Sequence, residues 1–155
     1  MRIAIFGGMD IEEKEGVEVE HLNIMDYELK GNYDQILVGN ALQELNRSQV
    51  MAFLDKCYEA LNDRGELVLH VPAAEWASKQ IFTNTPDNLT YYMLYGEDAR
   101  PFKACYSMLA LRTQVERAKF ITRSAGESIL RISSTAGDVY AMPVNSIIAV
   151  KNIGG

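Results

Sequence analysis

Apolar positions in the first forty residues form three short runs separated by polar segments. Residues 2–6 alternate and are largely apolar, like a buried first strand, and Gly7 and Gly8 follow at once. Residues 17–22 and 33–38 are two further runs, each too short and too rich in β-branched residues to form a helix. The pattern therefore predicts three strands, with a glycine pair directly after the first.

A helix and a fourth strand are predicted next. Asn46 stands three residues before Gln49, which is the spacing of a capping box, and apolar residues then recur at helical spacing up to Leu61. Gly65 is predicted to end this helix in the left-handed conformation. Residues 66–71 follow as a strand that ends at Pro72.

The second half of the chain adds helices and then strands. The pattern predicts helices over residues 73–80 and 109–118, and it leaves residues 81–101 as an irregular, tyrosine-rich insertion. Strands are predicted at residues 120–123, 128–132 and 145–151, and we expect the last two to pair as a hairpin with a turn at Gly137-Asp138. This order indicates an α/β three-layer domain whose mostly parallel sheet has an antiparallel edge.

Composition and charge narrow the class of protein. The 155 residues are 48% hydrophobic, which fits one compact domain with its own core. The formal charge of −6 argues against nucleic acid as a partner, because such binding depends on Lys and Arg. The apolar runs are too short to span a membrane and the start lacks a secretory pattern, so we expect a cytoplasmic protein. Cys57 and Cys105 lack metal-ligand spacing and are expected as buried free thiols.

Two segments resemble a known family. The first is "YDQILVGNALQELNRSQVMAFLDKCYEALNDRGELVLHVP" and the second is "PFKACYSMLALRTQVERAKF". Both resemble class I S-adenosylmethionine-dependent methyltransferases, in which an aromatic-Asp pair opens a strand, a helix follows, and a strand ends at Val-Pro. The chain is most similar to short methyltransferase-like proteins of phages, over residues 1–123. The resemblance implies a Rossmann-like three-layer fold and S-adenosylmethionine as cofactor.

The front of the chain departs from the family pattern. Only residues 7–16 separate the first two predicted strands, which is too short for a parallel crossover with a full helix. We therefore interpret residues 17–22 as the counterpart of the family's third strand, with the second strand and its preceding helix reduced or missing. The family's acidic residue for the ribose has no assignable position, and Asp10, Glu12, Glu13 or Glu15 could replace it.

Charge near the glycine pair favours one kind of cofactor over another. Phosphate sites use helix N-termini and cations, whereas this loop is followed by Asp10, Glu12 and Glu13. A pyrophosphate would be repelled there, but S-adenosylmethionine has a cationic sulfonium and no phosphate. The alternative is that Gly7-Gly8 is only a turn and the acids form a solvated face.

The resemblance implies a cofactor site where the first and third predicted strands end. Asn23 takes the place of the residue near the adenine, and Asn40 follows a central strand, where open α/β sheets bind ligands. An exposed turn and a capping role are the simpler alternatives for these two asparagines. The expected cofactor-binding residues are Phe6, Gly7, Gly8, Asn23, Ile24, Gly39 and Asn40.

Candidate catalytic and acceptor residues follow from the same resemblance. The candidate catalytic residues are Glu44, His70 and Tyr106, and the candidate acceptor-binding residues are Glu75, Trp76 and Lys103. His70 lies inside an apolar run, where a core histidine is the alternative, and Glu44 could equally be a solvated loop acid. Phe102 replaces a common histidine of the family, which weakens an acid-base role for its neighbours Lys103 and Tyr106.

Two functions fit these observations. The first is methyl transfer from S-adenosylmethionine to a small-molecule, protein or glycan acceptor, which needs positioning more than acid-base groups. The second is a degenerate methyltransferase fold that serves as a binding or assembly module. Because the reduced front leaves a sheet edge and one face less covered, we also expect a homodimer, formed through that edge or the tyrosine-rich insertion.

Overall fold

The computed structural model describes residues 1–9, 11–12 and 14–151. Within these residues, six strands form one sheet, and four α-helices and a short 3₁₀ helix accompany it. The strands are β1 (Arg2–Gly7), β2 (Glu18–Leu22), β3 (Tyr33–Gly39), β4 (Leu61–Pro72), β5 (Ile121–Ser133) and β6 (Val139–Val150). The helices are α1 (Arg47–Ala60), α2 (Ala74–Phe82), α3 (Asn88–Tyr95) and α4 (Met108–Arg117), with the 3₁₀ helix at Leu42–Glu44. No helix in this part of the chain is long and apolar enough to cross a membrane.

The sheet order is β2-β1-β3-β4-β6-β5. Strands β1 to β4 pair in parallel, whereas β6 runs antiparallel to both of its neighbours. The predicted α/β fold with a mostly parallel sheet is confirmed, and the antiparallel strand lies one position in from the edge. Gly7 pairs with Gly39, and Gly39 pairs with His70, so the carboxyl ends of β1, β3 and β4 lie side by side.

Helices α1 and α4 cover one face of the sheet and form the main core with it. The predicted capping box at the start of α1 is confirmed: the Asn46 side chain accepts a hydrogen bond from the Gln49 N–H (3.0 Å), and the Gln49 side chain accepts one from the Asn46 N–H (2.9 Å). Along the face of α1 that contacts the sheet, the buried side chains include Val50, Phe53 and Cys57. This face therefore has the ordinary helix-on-sheet packing of an α/β domain.

The expected role of Gly65 at the end of α1 is wrong. The helix ends at Ala60 and the chain enters β4 directly, while the left-handed residue nearby is Arg64, with φ 64°. Gly65 is needed for a different reason, since a Cβ atom there would lie 2.7 Å from the carbonyl oxygen of Asn62. The glycine allows a close backbone approach instead of a left-handed turn.

The C-terminal hairpin is longer than its sequence pattern predicts. The two segments expected at residues 120–123 and 128–132 are one continuous strand, β5, with an irregularity between Thr122 and Ser124. Strand β6 begins at Val139, six residues before its predicted start, and pairs with β5 around a turn at Gly137 (φ 91°). The last β4–β6 pair is Pro72 with Val144, so the tip of the hairpin projects beyond the carboxyl ends of the parallel strands.

The tyrosine-rich insertion contains a helix that the sequence analysis missed. Helix α3 starts with a capping box, in which the Asp87 carboxylate accepts hydrogen bonds from the N–H and hydroxyl of Thr90. Its Tyr92 and Met93 pack with α2, Phe102 and the hairpin residues Ile132, Met142 and Val144 in a second apolar cluster. Helices α2 and α3 therefore support the projecting hairpin.

The connection between β1 and β2 covers the sheet face that lacks α1 and α4. In its described residues it has no helix, as its length predicts. Met9, Ile11 and Val17 of this connection pack against a third cluster, formed by Ile3, Ile5, Leu37 and Val68. Met9, Ile11 and Val17 thus cover part of the face that a helix would cover in a complete three-layer domain.

Candidate functional site

The glycine pair after β1 has two distinct roles. Gly7 is left-handed (φ 85°), and a Cβ atom there would overlap the carbonyl oxygen of Gly39 on the neighbouring strand. Gly8 has an ordinary φ, and nothing lies within 4 Å of the position of its absent Cβ. The backbone at Gly8 therefore faces open space, whereas Gly7 is required by the fold.

The end of β3 is held by a buried polar network. Asn40 is left-handed (φ 55°), and its side-chain amide donates to the hydroxyl of Tyr92 (3.0 Å). Its side-chain oxygen accepts a hydrogen bond from the Gln43 amide (2.6 Å). The side chain of Asn40 is therefore occupied by neighbours inside the protein, and it anchors α3 to the end of the sheet.

A smaller cleft of about 440 Å³ opens on the β2 side of Gly8. The ends of β1 and β2 and the start of the 3₁₀ helix meet there. Asn23 forms a tight turn in which its side-chain oxygen accepts from the Met25 N–H (2.9 Å), and its amide nitrogen donates to no described residue. The lining residues are Gly7, Gly8, Leu22, Asn23, Ile24, Met25, Ala41, Glu44, Ala99 and Arg100.

A larger cleft of about 570 Å³ opens on the other side of Gly8. Its floor is the ends of β1 and β3, where the Met9 side chain lies against Gly39. Its far wall is the projecting tip of the β5–β6 hairpin. The lining residues are Gly8, Met9, Gly39, Asn40, Arg100, Leu130, Arg131, Ile132, Ser133 and Val139.

Arg100 stands between the two clefts and lines both. Its Nη2 donates to the backbone carbonyl of Asn40 (2.7 Å) and to the carboxylate of Glu44 (2.9 Å). Burial disfavours the charged form of Arg100, but the hydrogen bond that it donates to Glu44 prevails, and the pKa of the guanidinium is raised. Sequence reasoning missed Arg100, and only its place before Pro101 in an irregular segment marks it.

Six of the seven expected cofactor-binding residues line these clefts, and Phe6 does not. The Phe6 ring is buried in the main core, edge-on to the rings of Tyr27 and Phe53 at 5.5 and 5.0 Å. Its side chain packs helix α1 against the sheet. Glu44 is the one expected catalytic residue in a cleft, with 12% of its side chain exposed.

His70 and Tyr106 lie outside both clefts. The Nδ1 atom of His70 is 2.6 Å from the hydroxyl of Ser146 across the β4–β6 pair, and burial lowers the pKa of the imidazole. Tyr106 is buried in the main core, and this burial raises the pKa of its phenol, although the charge of Arg47 opposes the effect. Neither side chain is placed to contact a ligand in the crevice.

The three expected acceptor-binding residues are also outside the clefts. Glu75 accepts hydrogen bonds from the Met108 N–H (2.9 Å) and the Asn145 side chain (2.8 Å), so it ties the start of α4 to β6. Burial favours the neutral form of Glu75, but these hydrogen bonds prevail and its pKa is lowered. Trp76 packs against the second cluster, and Lys103 has an exposed side chain while its N–H donates to the carbonyl of Gln43 (2.7 Å).

Two of the four proposed replacements for the ribose-binding acid can be placed in the structure, and both lie outside the clefts. Asp10 and Glu13 lie outside the described residues. Glu12 and Glu15 are exposed and line neither cleft. Among the described lining residues, Glu44 is therefore the single carboxylate.

Known structures share this fold. No protein-family model matches the chain, and no curated protein matches it by sequence. One similar structure is a protein from Methanosarcina mazei described as one of the SAM-dependent methyltransferases. It aligns with TM-score 0.63 and 11% identity, and the alignment covers 99% of this chain and 93% of that protein. An O-methyltransferase family 2 protein from Planctomyces limnophilus, solved in complex with apigenin, aligns with TM-score 0.55 and 16% identity, covering 87% of this chain and 35% of its own.

A third similar structure was solved with a ligand of the cofactor type. It is the 1,6-didemethyltoxoflavin-N1-methyltransferase of Burkholderia thailandensis with bound S-adenosylhomocysteine, which aligns with TM-score 0.55 and 13% identity. The alignment covers 88% of this chain and 51% of that protein. The chain therefore spans about half, or less, of the length of the Burkholderia and Planctomyces proteins. At these identities the likeness concerns the fold: the chain has the fold of S-adenosylmethionine-dependent methyltransferases.

Proposed function

We propose that the chain binds S-adenosylmethionine in the crevice around Gly8 and transfers its methyl group to an acceptor. The observation that carries the proposal is the place of this crevice in a methyltransferase fold. It lies at the carboxyl ends of β1 and β3, where open α/β sheets bind ligands, and the backbone at Gly8 is open to it.

The residues of the smaller cleft fit an adenosine that carries no phosphate. Ile24 offers an apolar wall, and the side-chain amide of Asn23 can donate to a ring nitrogen. The one carboxylate in the described lining, Glu44, is paired with Arg100. This pair leaves the charged groups of the described lining balanced, so the lining lacks the excess positive charge that a pyrophosphate needs and suits a cofactor without phosphate.

The chain's contribution to the reaction is positioning. When bound, the cofactor supplies an activated methyl group: an acceptor lone pair forms the new bond to carbon, and the electron pair of the broken carbon–sulfur bond stays on sulfur. The clefts meet at Gly8, so a cofactor in one and an acceptor in the other can be held in line. Glu44 then acts by holding Arg100 in place.

Calorimetry with S-adenosylhomocysteine tests the proposal. We expect saturable one-to-one binding together with a rise in melting temperature. No heat and no thermal shift at millimolar ligand would exclude the proposed cofactor. The cytoplasmic location expected from the sequence stays a prediction.

A catalytically degenerate binding module is the second candidate. It is favoured by the reduced front of the sheet and by the lack of a second acid beside Glu44 among the described lining residues. This candidate predicts weak or no cofactor binding, or binding without methyl transfer. Transfer of labelled methyl to any acceptor in a small-molecule or protein extract would rule it out.

We also propose that the chain forms a homodimer. Met9 and Ile11 cover the sheet face at β1 and β3, so this face is not the expected interface. The proposed dimer is supported by exposed apolar side chains elsewhere on the chain. Phe82 and Tyr95 in the tyrosine-rich segment are 91% and 68% exposed, and Ile129 on the outermost strand β5 is 63% exposed.

Light scattering at micromolar concentration should give twice the chain mass of 17.4 kDa. Phe82→Ser with Tyr95→Ser should give a monomer if the tyrosine-rich segment is the interface, and Ile129→Ser should do so if β5 is. A wild-type monomer would contradict the proposal.

A further inference from the structure

The larger cleft has a charge opposite to that of the whole chain. The chain carries a formal charge of −6, yet the charged side chains among the described residues of this cleft are two arginines, Arg100 and Arg131. They come from different walls, Arg100 from the segment after α3 and Arg131 from the β5–β6 hairpin. Glu44 of the smaller cleft compensates the charge of Arg100, so Arg131 supplies the unpaired positive charge of the described lining, and such a charge attracts anions.

Arg100 is held so that part of its guanidinium is left for a ligand. Both of its hydrogen bonds to described residues use Nη2, one to Asn40 and one to Glu44. The N–H groups on Nε and Nη1 have no partner among the described residues. Because Glu44 lines the smaller cleft, its carboxylate fixes Arg100 from the far side and leaves the N–H groups of Nε and Nη1 for single hydrogen bonds to an anion.

Arg131 is placed by the unusual length of the hairpin. It pairs with Ala141, beyond the last β4–β6 pair at Pro72 and Val144, so it lies on the part that projects past the sheet. Its side chain makes no ion pair with any described residue. Ser133, on the same wall, adds a hydroxyl that can donate to an anion.

We propose that the larger cleft binds a methyl acceptor that carries a carboxylate, with Arg100 and Arg131 as its specificity-determining residues. The inference rests on the proposed function and names the class of acceptor for it. The carboxylate is the anchor, and the atom that takes the methyl group is another nitrogen, oxygen or sulfur atom of the same molecule, directed toward Gly8. A cleft of about 570 Å³ suits a small organic acid and not a folded protein.

A matched pair of probes tests the charge requirement. 4-Hydroxybenzoate and the neutral 4-hydroxybenzamide have the same ring and differ in charge, and their binding to the full chain can be compared by NMR titration with saturating S-adenosylhomocysteine. We expect the acid to bind about fivefold or more tightly than the amide, with added salt reducing the difference. Equal binding of the two probes, or no binding of the acid, would overturn the proposal.

Variants of Arg131 assign the effect to the cleft. Arg131→Met should weaken binding of the acid about fivefold and leave binding of the amide unchanged, while Arg131→Lys should retain most of the affinity. Arg117→Met, an exposed change on α4, is the control and should have no effect. Unchanged affinity of Arg131→Met for the acid would contradict the assignment.

The carboxylate of the cofactor itself is the competing source of an anion. Arg100→Met is therefore titrated with S-adenosylhomocysteine and with 5′-methylthioadenosine, which lacks the amino-acid part. Because Arg100 also lines the smaller cleft, we expect the two affinities to change by similar factors, within about threefold of each other. A selective loss for S-adenosylhomocysteine would assign Arg100 to the cofactor and overturn its acceptor role, whereas failure of the wild type to bind either nucleoside would reject the proposed function and leave an anion site.

Discussion

A substitution at Gly8 distinguishes between two interpretations of the loop after β1, a working cofactor crevice and a simple turn. The substitution Gly8→Val places three carbon atoms where the two clefts meet, yet nothing lies within 4 Å of the Cβ position and φ is ordinary. The fold should therefore tolerate the change, and the loss of backbone freedom in the unfolded chain contributes about 0.4–1 kcal/mol of stability when glycine is replaced without strain. We expect S-adenosylhomocysteine to bind at least about tenfold more weakly, which corresponds to roughly 1.4 kcal/mol.

The assay combines calorimetry for affinity with thermal unfolding for stability. Gly126→Val is a matched control, because Gly126 also has open space at its Cβ position but lies on β5 and lines neither cleft. Gly7→Ala is the opposite control and should prevent folding, since its Cβ would overlap the Gly39 carbonyl. A folded Gly8→Val protein with wild-type affinity would refute the reasoning and make the loop a turn only.

Three further variants test the roles assigned to polar groups. Glu75→Gln should leave cofactor affinity unchanged but lower the melting temperature at pH 7. Because the pKa of Glu75 is lowered in the folded state, its carboxylate stabilises the fold above about pH 4.3. This stabilisation disappears as the pH falls through the folded-state pKa, so the melting temperatures of the variant and the wild type should converge there. Asn40→Ala should cost about 1–3 kcal/mol in the free energy of unfolding measured with urea, because the hydroxyl of Tyr92 and the amide of Gln43 lose their buried partner, and Tyr92→Phe should cost less. Cys57→Ser should cost about 1–3 kcal/mol by placing a hydroxyl in the core, with calorimetry showing no change in cofactor affinity.

The local sequence predicts β1, β3 and α1 but not the residue that lines both clefts. Alternation identified β1 and β3, and the spacing of Asn46 and Gln49 identified α1, because both signals depend on neighbouring residues alone. Arg100 reaches Asn40 because residues 96–101 fold back on themselves, with a bridge between Gly96 and Pro101. That contact joins segments sixty positions apart in the sequence, and no local periodic pattern of residues indicates it.

One of the two missed features had a signal that could have been used, and the other did not. Asp87 followed three residues later by Thr90 is a capping pair, and it marks the start of α3 inside a segment whose tyrosines suggested an irregular structure. The hairpin strand β5 is almost entirely exposed, so Glu127 and Arg131 interrupt the apolar pattern that would have shown its full length. Glu75 illustrates the reverse case: the resemblance implied a role in acceptor binding, whereas its described hydrogen-bond partners are the Met108 N–H and the Asn145 side chain.

A crystal structure of the chain with S-adenosylhomocysteine tests the central claim most directly. The account predicts the adenine in the smaller cleft between Asn23 and Ile24, and the sulfur at Gly8, where this cleft meets the larger one beside Asn40. Electron density for the ligand elsewhere on the sheet, or crystals that stay free of it at millimolar concentration, would contradict the account.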